Sequence, residues 1–289
     1  SLSLSLSLSL SLSLSLSPVL MYGAEVWGFQ QFSEIEKVHL FACKRFLRVG
    51  VQTPNKMVYG DLGRYPLYVV ATVKFVKYWL RLITMPRERL PFKAFVMSCT
   101  MCDSGKKSWA FHLRNVLCEN GFADAWQQQS VGDVKMFLCT LKGRLIERFQ
   151  QDWINGVNAS DRFQFYAQFK RSFKIEPYVN CSQLRCFKIA YVQFRFGISP
   201  INFHRMRYRK GVTPQQMLCP VCRDVVEDEN HILFECPLYD DLRHDMSFFQ
   251  ANQMNDVVTL MNANDDTSVM ELSRFLYTVF KRRLQPVQF

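Results

Sequence analysis

The chain is poor in the residues that interrupt secondary structure. Its 289 residues hold 12 glycines and 11 prolines, which argues for long uninterrupted elements. Strand patterns are nearly absent outside one cysteine-rich stretch, so the expected fold is mostly α. No run of about twenty apolar residues occurs, so no membrane association is expected. No signal peptide precedes the ten cysteines, and their density is too low for a secreted disulfide scaffold. Reduced thiols plus a metal are the better reading, which implies an intracellular setting. What is plentiful is apolar and basic. With 48% hydrophobic residues, 25 Phe among them, the chain can bury the core of one large or two small domains. A formal charge of +11 favours a polyanionic partner.

Ser1 to Ser17 is an uncharged Ser-Leu alternation with no initiating Met. Read as codons, TCT-CTC repeated is a (TC)n run, so the segment reads as translated microsatellite DNA and is expected to be disordered. It is left out of fold reasoning. The first Met is Met21, and the chain reads as an open reading frame cut from something larger.

One array states its chemistry. Cys219-Pro220-Val221-Cys222 is followed after eight residues by His231 and after four more by Cys236. Three thiolates and an imidazole at this spacing match a Cys3His set that closes a tetrahedral structural Zn2+ site. The two-residue gap lets both sulfurs face one ion, Pro220 stiffens that turn, and Pro237 stops the turn that returns Cys236. Four protein ligands leave no open position, so such a site builds structure and does no hydrolysis. A second array, Cys99, Cys102, His112 and Cys118, places its last two members about 240° apart around a helix, so they do not share an ion.

Helical signals fill the remainder. Ser33 with Glu36 reads as a capping box, opening a helix that runs to Val49 and stops at Gly50. Lys37, Lys44, Arg45 and Arg48 share its polar face. Thr53-Pro54 and Tyr65-Pro66 start two more helices by N-cap and N1 chemistry, the second reaching about Thr84. Pro86 and Pro91 bracket a linker, with a helix from about Phe92 to Thr100. Ser108, Asp133 and Ser160 cap helices whose apolar residues recur every three to four positions. The last strong helix before the metal array spans 182–196.

Charge is uneven along the chain. Residues 161–215 hold eleven Lys/Arg against Asp161 and Glu176, a net of +9, whereas 223–245 hold two Arg against eight acids, a net of −6. In His204-Arg205-Met206-Arg207-Tyr208-Arg209-Lys210, cations suited to phosphates flank a ring suited to stacking on a base, as single-stranded nucleic acid binding requires. Arg205, Arg207, Tyr208, Arg209 and Lys210 are therefore the leading contact residues, with Lys37, Lys44 and Arg48 as a second set. The acidic run Glu227-Asp228-Glu229 makes the cysteine loop a poor phosphate ligand; it is expected to position the basic segment instead.

Met21-Tyr22-Gly23-Ala24-Glu25-Val26-Trp27-Gly28 resembles the Y-G-x-E-x-W segment that follows the palm of LINE-type non-LTR retrotransposon reverse transcriptases. Ile35 to His39, Lys44 to Leu47 and Val58 to Leu67 look like the thumb and connector that follow. The Cys-Cys-His-Cys array with Asn230-His231 and Cys236-Pro237-Leu238-Tyr239 is similar to that family's C-terminal zinc knuckle. The resemblance implies a thumb-like helical region at 18–85, a linker at 86–107, a helical connector at 108–203, the basic segment and knuckle at 204–245, and a helical tail at 246–289. It also implies partners: element RNA or target DNA, and the palm and endonuclease domains that would lie upstream. The setting would be nuclear.

No enzymatic activity is expected of this chain. Reverse transcription needs paired aspartates holding two metal ions about 4 Å apart, and Phe122-Ala123-Asp124-Ala125 lacks the second. No Pro-Asp with a following (D/E)-x-K follows the array to suggest a nuclease. The competing class is a zinc-stabilised helical protein-interaction module.

Overall fold

The structure, a computed structural model, describes residues 17–207, 209–247, 256–263 and 265–284. The described residues are mostly helical and contain no strand. An antiparallel bridge, Leu218 with Val226, lies inside the cysteine loop. No described helix is long and apolar enough to cross a membrane. The Ser-Leu repeat, with its expected disorder, lies outside the described residues except for Ser17.

In chain order the helices begin with α1 (Ser17–Leu20), α2 (Ala24–Trp27), α3 (Ser33–Leu47), α4 (Asn55–Leu62), α5 (Leu67–Ile83), α6 (Leu90–Asp103), α7 (Trp109–Glu119) and α8 (Ala123–Gln128). They continue with α9 (Val134–Asn158), α10 (Gln164–Phe169), α11 (Pro177–Asn180), α12 (Arg185–Arg195), α13 (Asn202–Met206), α14 (Asp240–His244), α15 (Val257–Met261) and α16 (Asp266–Arg283). The chain divides into two compact units. One takes the described residues up to Phe41 together with Tyr65–Trp153; the other takes Ala42–Arg64 and the described residues from Ile154 onward.

In the first unit, α5 supplies the spine of the core. Val69, Phe75, Val76, Trp79 and Leu80 are buried against Leu113 and Leu117 of α7 and Leu141 and Leu145 of α9. Burying each such side chain contributes about 1.5–3 kcal/mol. Ser108 caps α7, accepting the Phe111 N–H at 3.2 Å, and donates to the Ser98 carbonyl at 2.7 Å. Ser98 Oγ in turn accepts the Ala110 N–H at 2.9 Å, so two serines stitch α6 to α7. Gly28 lies hard against α5: its carbonyl accepts the Thr72 hydroxyl at 3.2 Å, and a Cβ there would collide with the Ala71 carbonyl.

Several expectations are corrected here. Glu36 does not close a capping box on its own helix; its carboxylate accepts the Leu67 N–H at 2.8 Å and hydrogen-bonds His39 Nδ1 at 2.8 Å. The first N–H groups of α5 have no partner within that helix, and a carboxylate there is favoured by the helix dipole as well. Helix α3 ends at Leu47, not Val49, because Arg48 takes a left-handed φ of 59°. The expected linker at 86–107 is largely α6, inside the first unit. Pro91 sits in its first turn, where a missing N–H costs nothing, so it opens a helix instead of breaking one.

In the second unit α12 packs along α16, burying Val192 and Phe194 with Leu272, Phe275, Leu276 and Val279. Beneath them lies a closed polar network around Asp61 of α4. Its carboxylate accepts Tyr166 at 2.7 Å, Tyr178 at 2.9 Å and Arg195 Nε at 2.8 Å. Arg195 also donates to Glu176 at 2.8 Å and to the Met261 carbonyl at 3.0 Å, while Lys170 donates to Glu176. Burial opposes the Arg195 charge, yet Asp61, with further help from Glu176, holds its guanidinium above the usual range. Two cations face two carboxylates, so the network is neutral as a set and tolerates burial.

Candidate metal centre

The cysteine loop brings its four expected ligands together. One donor atom each from Cys219, Cys222, His231 and Cys236 lies within 4.8 Å of all the others, and among the described residues no other such group occurs. Local chemistry explains the approach. The loop closes where the Cys219 N–H donates to the Val225 carbonyl at 2.7 Å and the Glu227 N–H to Met217 at 2.8 Å. Arg223 reverses the chain with φ 68°. A wide, π-type turn, His231–Glu235, brings Cys236 back, and its N–H reaches the His231 carbonyl at 2.8 Å.

The donors fit a metal ion. His231 is 2% exposed, and its Nε2 is buried without a hydrogen-bond partner. Its Nδ1 faces Glu235 at 3.4 Å, the arrangement that orients a ligating imidazole. The sulfurs of Cys219 and Cys236 stand 3.9 Å apart. The hydrogen bond between them pushes the Cys219 thiol down to about 4 and pushes Cys236 upward. Burial raises Cys222. An acidified thiol beside an imidazole nitrogen without a hydrogen-bond partner, both screened from water, is a donor set that fits a cation.

Three acids of this loop, Glu227, Asp228 and Glu229, are internal latches. Glu227, 1% exposed, accepts the Asn202 N–H at 2.6 Å, and its backbone carbonyl accepts Phe203 N at 3.2 Å. The Asn202 side chain donates to the Leu218 carbonyl at 2.8 Å. Glu229 meets His204 Nε2 at 2.6 Å, and Ser199 meets the other ring nitrogen at 2.6 Å. Asp228 accepts the His231 N–H at 2.8 Å. Helix α13, which begins the basic segment, thus hangs from the metal loop at Asn202, Phe203 and His204.

The basic candidates fall in different settings. Arg205, Arg209 and Lys210 are exposed; Arg207 is half-buried, donating to the Gly197 carbonyl at 3.3 Å with its guanidinium 5.8 Å from the Phe203 ring. Tyr208 lies outside the described residues. Lys37 is exposed and 3.8 Å from Glu34, and Arg48 is exposed. Lys44 is not on a solvated face: it is 8% exposed, its Nζ donates to the Val51 carbonyl at 2.7 Å, and burial, then Arg162, lowers its pKa. Within the stretch counted at +9, Lys170 and Arg195 belong to the buried Asp61 network, which removes them from any surface field. Asp124 is exposed in the first turn of α8. His112 of the second cysteine array stacks on Phe29 at 4.0 Å.

Sequence reasoning missed the Asp61 network and the Ser199–His204–Glu229 chain. The signal for the first was a lone Asp inside Met57-Val58-Tyr59-Gly60-Asp61-Leu62, a stretch otherwise buried. No protein-family model, curated protein or solved structure matches this chain.

Proposed function

We propose that the chain binds single-stranded RNA or DNA and corresponds to the non-catalytic C-terminal part of a LINE-type reverse transcriptase. A structural zinc ion would fix the direction of its basic segment. The donor set supports zinc: two sulfurs about 2.3 Å from one tetrahedral ion are about 3.8 Å apart, and Cys219 and Cys236 stand at 3.9 Å. Four protein ligands leave zinc no open position, so its contribution is to hold the loop closed.

The observation that carries the reading is the suspension of α13 from the metal loop through Asn202, Phe203 and His204. It places Arg205, Arg209 and Lys210, all exposed, beyond a rigid anchor. Positioning and contact are thereby divided: Glu227 and Glu229 of the loop face inward, and Arg205, Arg209 and Lys210 face water. The polymerase part of the reading rests on the resemblance in sequence.

The deciding experiment is a salt titration of binding to a single-stranded 12-mer. Neutralising Arg205, Arg209 and Lys210 to Gln removes up to three phosphate contacts, which flattens the log–log slope by about 0.7 per contact, roughly two units. Unchanged affinity and slope would remove this segment as the contact surface. A shallow slope in the unaltered chain would favour the protein-interaction module. A primer-extension assay with magnesium should give no product.

A further inference from the structure

A cavity of about 250 Å³ opens in the second unit beside the basic segment. Met57, Phe196 and Ile198 line it with apolar surface, and Arg162 and Arg207 bring positive charge to it. His204 also lines it, fixed by Ser199 and Glu229 at 2.6 Å each. Thr53 and Pro54 just before α4, with Met57 in its first turn, border the same space and bring it the positive end of a helix.

We propose that this cavity receives one unstacked nucleotide of a bound single strand, phosphate toward Arg162 and Arg207 and base against the apolar side chains of the lining. Three observations select that ligand class. The volume equals roughly eight liquid waters, far more than an inorganic phosphate fills. Met57, Phe196 and Ile198 make much of the lining apolar, which a bare anion would not use and a flat base would. The charge balance is positive: Arg162, Arg207 and the neighbouring Lys44 stand against Glu229, which already serves His204. An apolar wall beside a cation concentrates the potential that an anionic group meets.

Arg207 belongs to both features, lining the cavity and lying within the 204–210 segment. On this reading a strand held by the segment's cations meets Arg207 at the cavity and turns one base inward. Such splayed bases are how single strands are usually read by proteins. The inference rests on the single-strand reading above for the source of the nucleotide, and on the cavity for its place.

The test uses the full chain purified with zinc, and two ligands: uridine 5′-monophosphate and an oligo(U) 12-mer. Ile198 is 40% exposed, so Ile198→Trp fills the cavity without disturbing the core; Arg162→Gln removes an exposed charge. In equilibrium dialysis the unaltered chain should retain uridine monophosphate more tightly than either phosphate or uridine. Ile198→Trp should abolish that retention, and Arg162→Gln should weaken it. The 12-mer should lose about 5- to 150-fold in affinity on Ile198→Trp, the range one stacked base contributes, with little change in salt slope. Arg162→Gln should flatten that slope by about 0.7.

Equal binding of phosphate and uridine monophosphate overturns the proposal, as does an Ile198→Trp chain, folded by circular dichroism, that binds both ligands normally. If the 12-mer binds the unaltered chain and neither variant changes it, the cavity is excluded while the nucleic-acid reading stands. If the mononucleotide binds and the 12-mer does not, the cavity stands and the single-strand reading falls. If neither binds, both fall.

Discussion

Arg283 donates from Nε and Nη2 to the two carboxylate oxygens of Glu227, at 2.6 and 2.7 Å. Arg283 closes α16 near the end of the described chain, and Glu227 lies between the second and third candidate ligands, Cys222 and His231. The same Nη2 also reaches Asn202 Oδ1 at 2.7 Å. One guanidinium therefore ties the last described helix, the cysteine loop and the start of the basic segment. Planar bidentate pairing of this kind is specific to arginine.

Arg283→Gln should accordingly cost on the order of 3–5 kcal/mol, since it leaves the buried Glu227 carboxylate without its counter-charge. Urea unfolding would measure the loss, and a competition assay should show weaker metal retention. A variant within about 0.5 kcal/mol of the parent would show that the latch contributes nothing.

One metal ion per chain is expected in zinc-supplemented preparations, and Cys222→Ser should lose it by elemental analysis. Stoichiometric metal in that variant would remove the assignment of Cys222. Chelation should weaken the proposed single-strand binding, because α13 loses its anchor.

The Asp61 network makes an alkaline prediction. Burial, then the Asp61 charge, raises the phenols of Tyr166 and Tyr178, which donate to that carboxylate. Above about pH 10 the unfolded tyrosines lose protons that the folded ones keep, so stability falls as pH rises past that value. Each such tyrosine adds about 1.4 kcal/mol per pH unit to the slope. Tyr166→Phe should remove one such contribution from unfolding curves taken between pH 9 and 11; an unchanged slope would place the ionisation elsewhere.

Two glycines should respond oppositely to alanine. Gly28→Ala drives a methyl into the Ala71 carbonyl and should cost about 1–3 kcal/mol as overpacking. Gly143, within α9, has nothing within 4 Å of an added Cβ, so Gly143→Ala should stabilise by about 0.5–1 kcal/mol through helix propensity. Thermal melts of both variants settle the comparison; equal effects would contradict the close approach of Gly28 to α5.

Features that depend on near neighbours were legible without coordinates. The helices opened by Ser108 and Asp133 begin where those caps stand, and the Asp133 carboxylate accepts the Met136 N–H at 2.7 Å. The four donors of the cysteine loop lie within eighteen residues, so their meeting is a matter of local turns. Helix class follows the same way, since the three-to-four-residue apolar period is a property of adjacent turns.

Charge placement was another matter, because a cation's exposure is decided by what the distant chain lays over it. Lys44 looked like its neighbours on a polar stripe, yet the turn after α3 covers it and takes its proton donor. Lys170 and Arg195 counted toward a basic surface until Asp61, more than a hundred residues earlier, drew them inward. Glu36 had the spacing of a cap for its own helix but serves α5, since only the packed fold brings Leu67 N–H into reach. Local sequence determined the helices and the ligand set through period and spacing; tertiary packing decided which charges face water, because burial is set by contacts no short window contains.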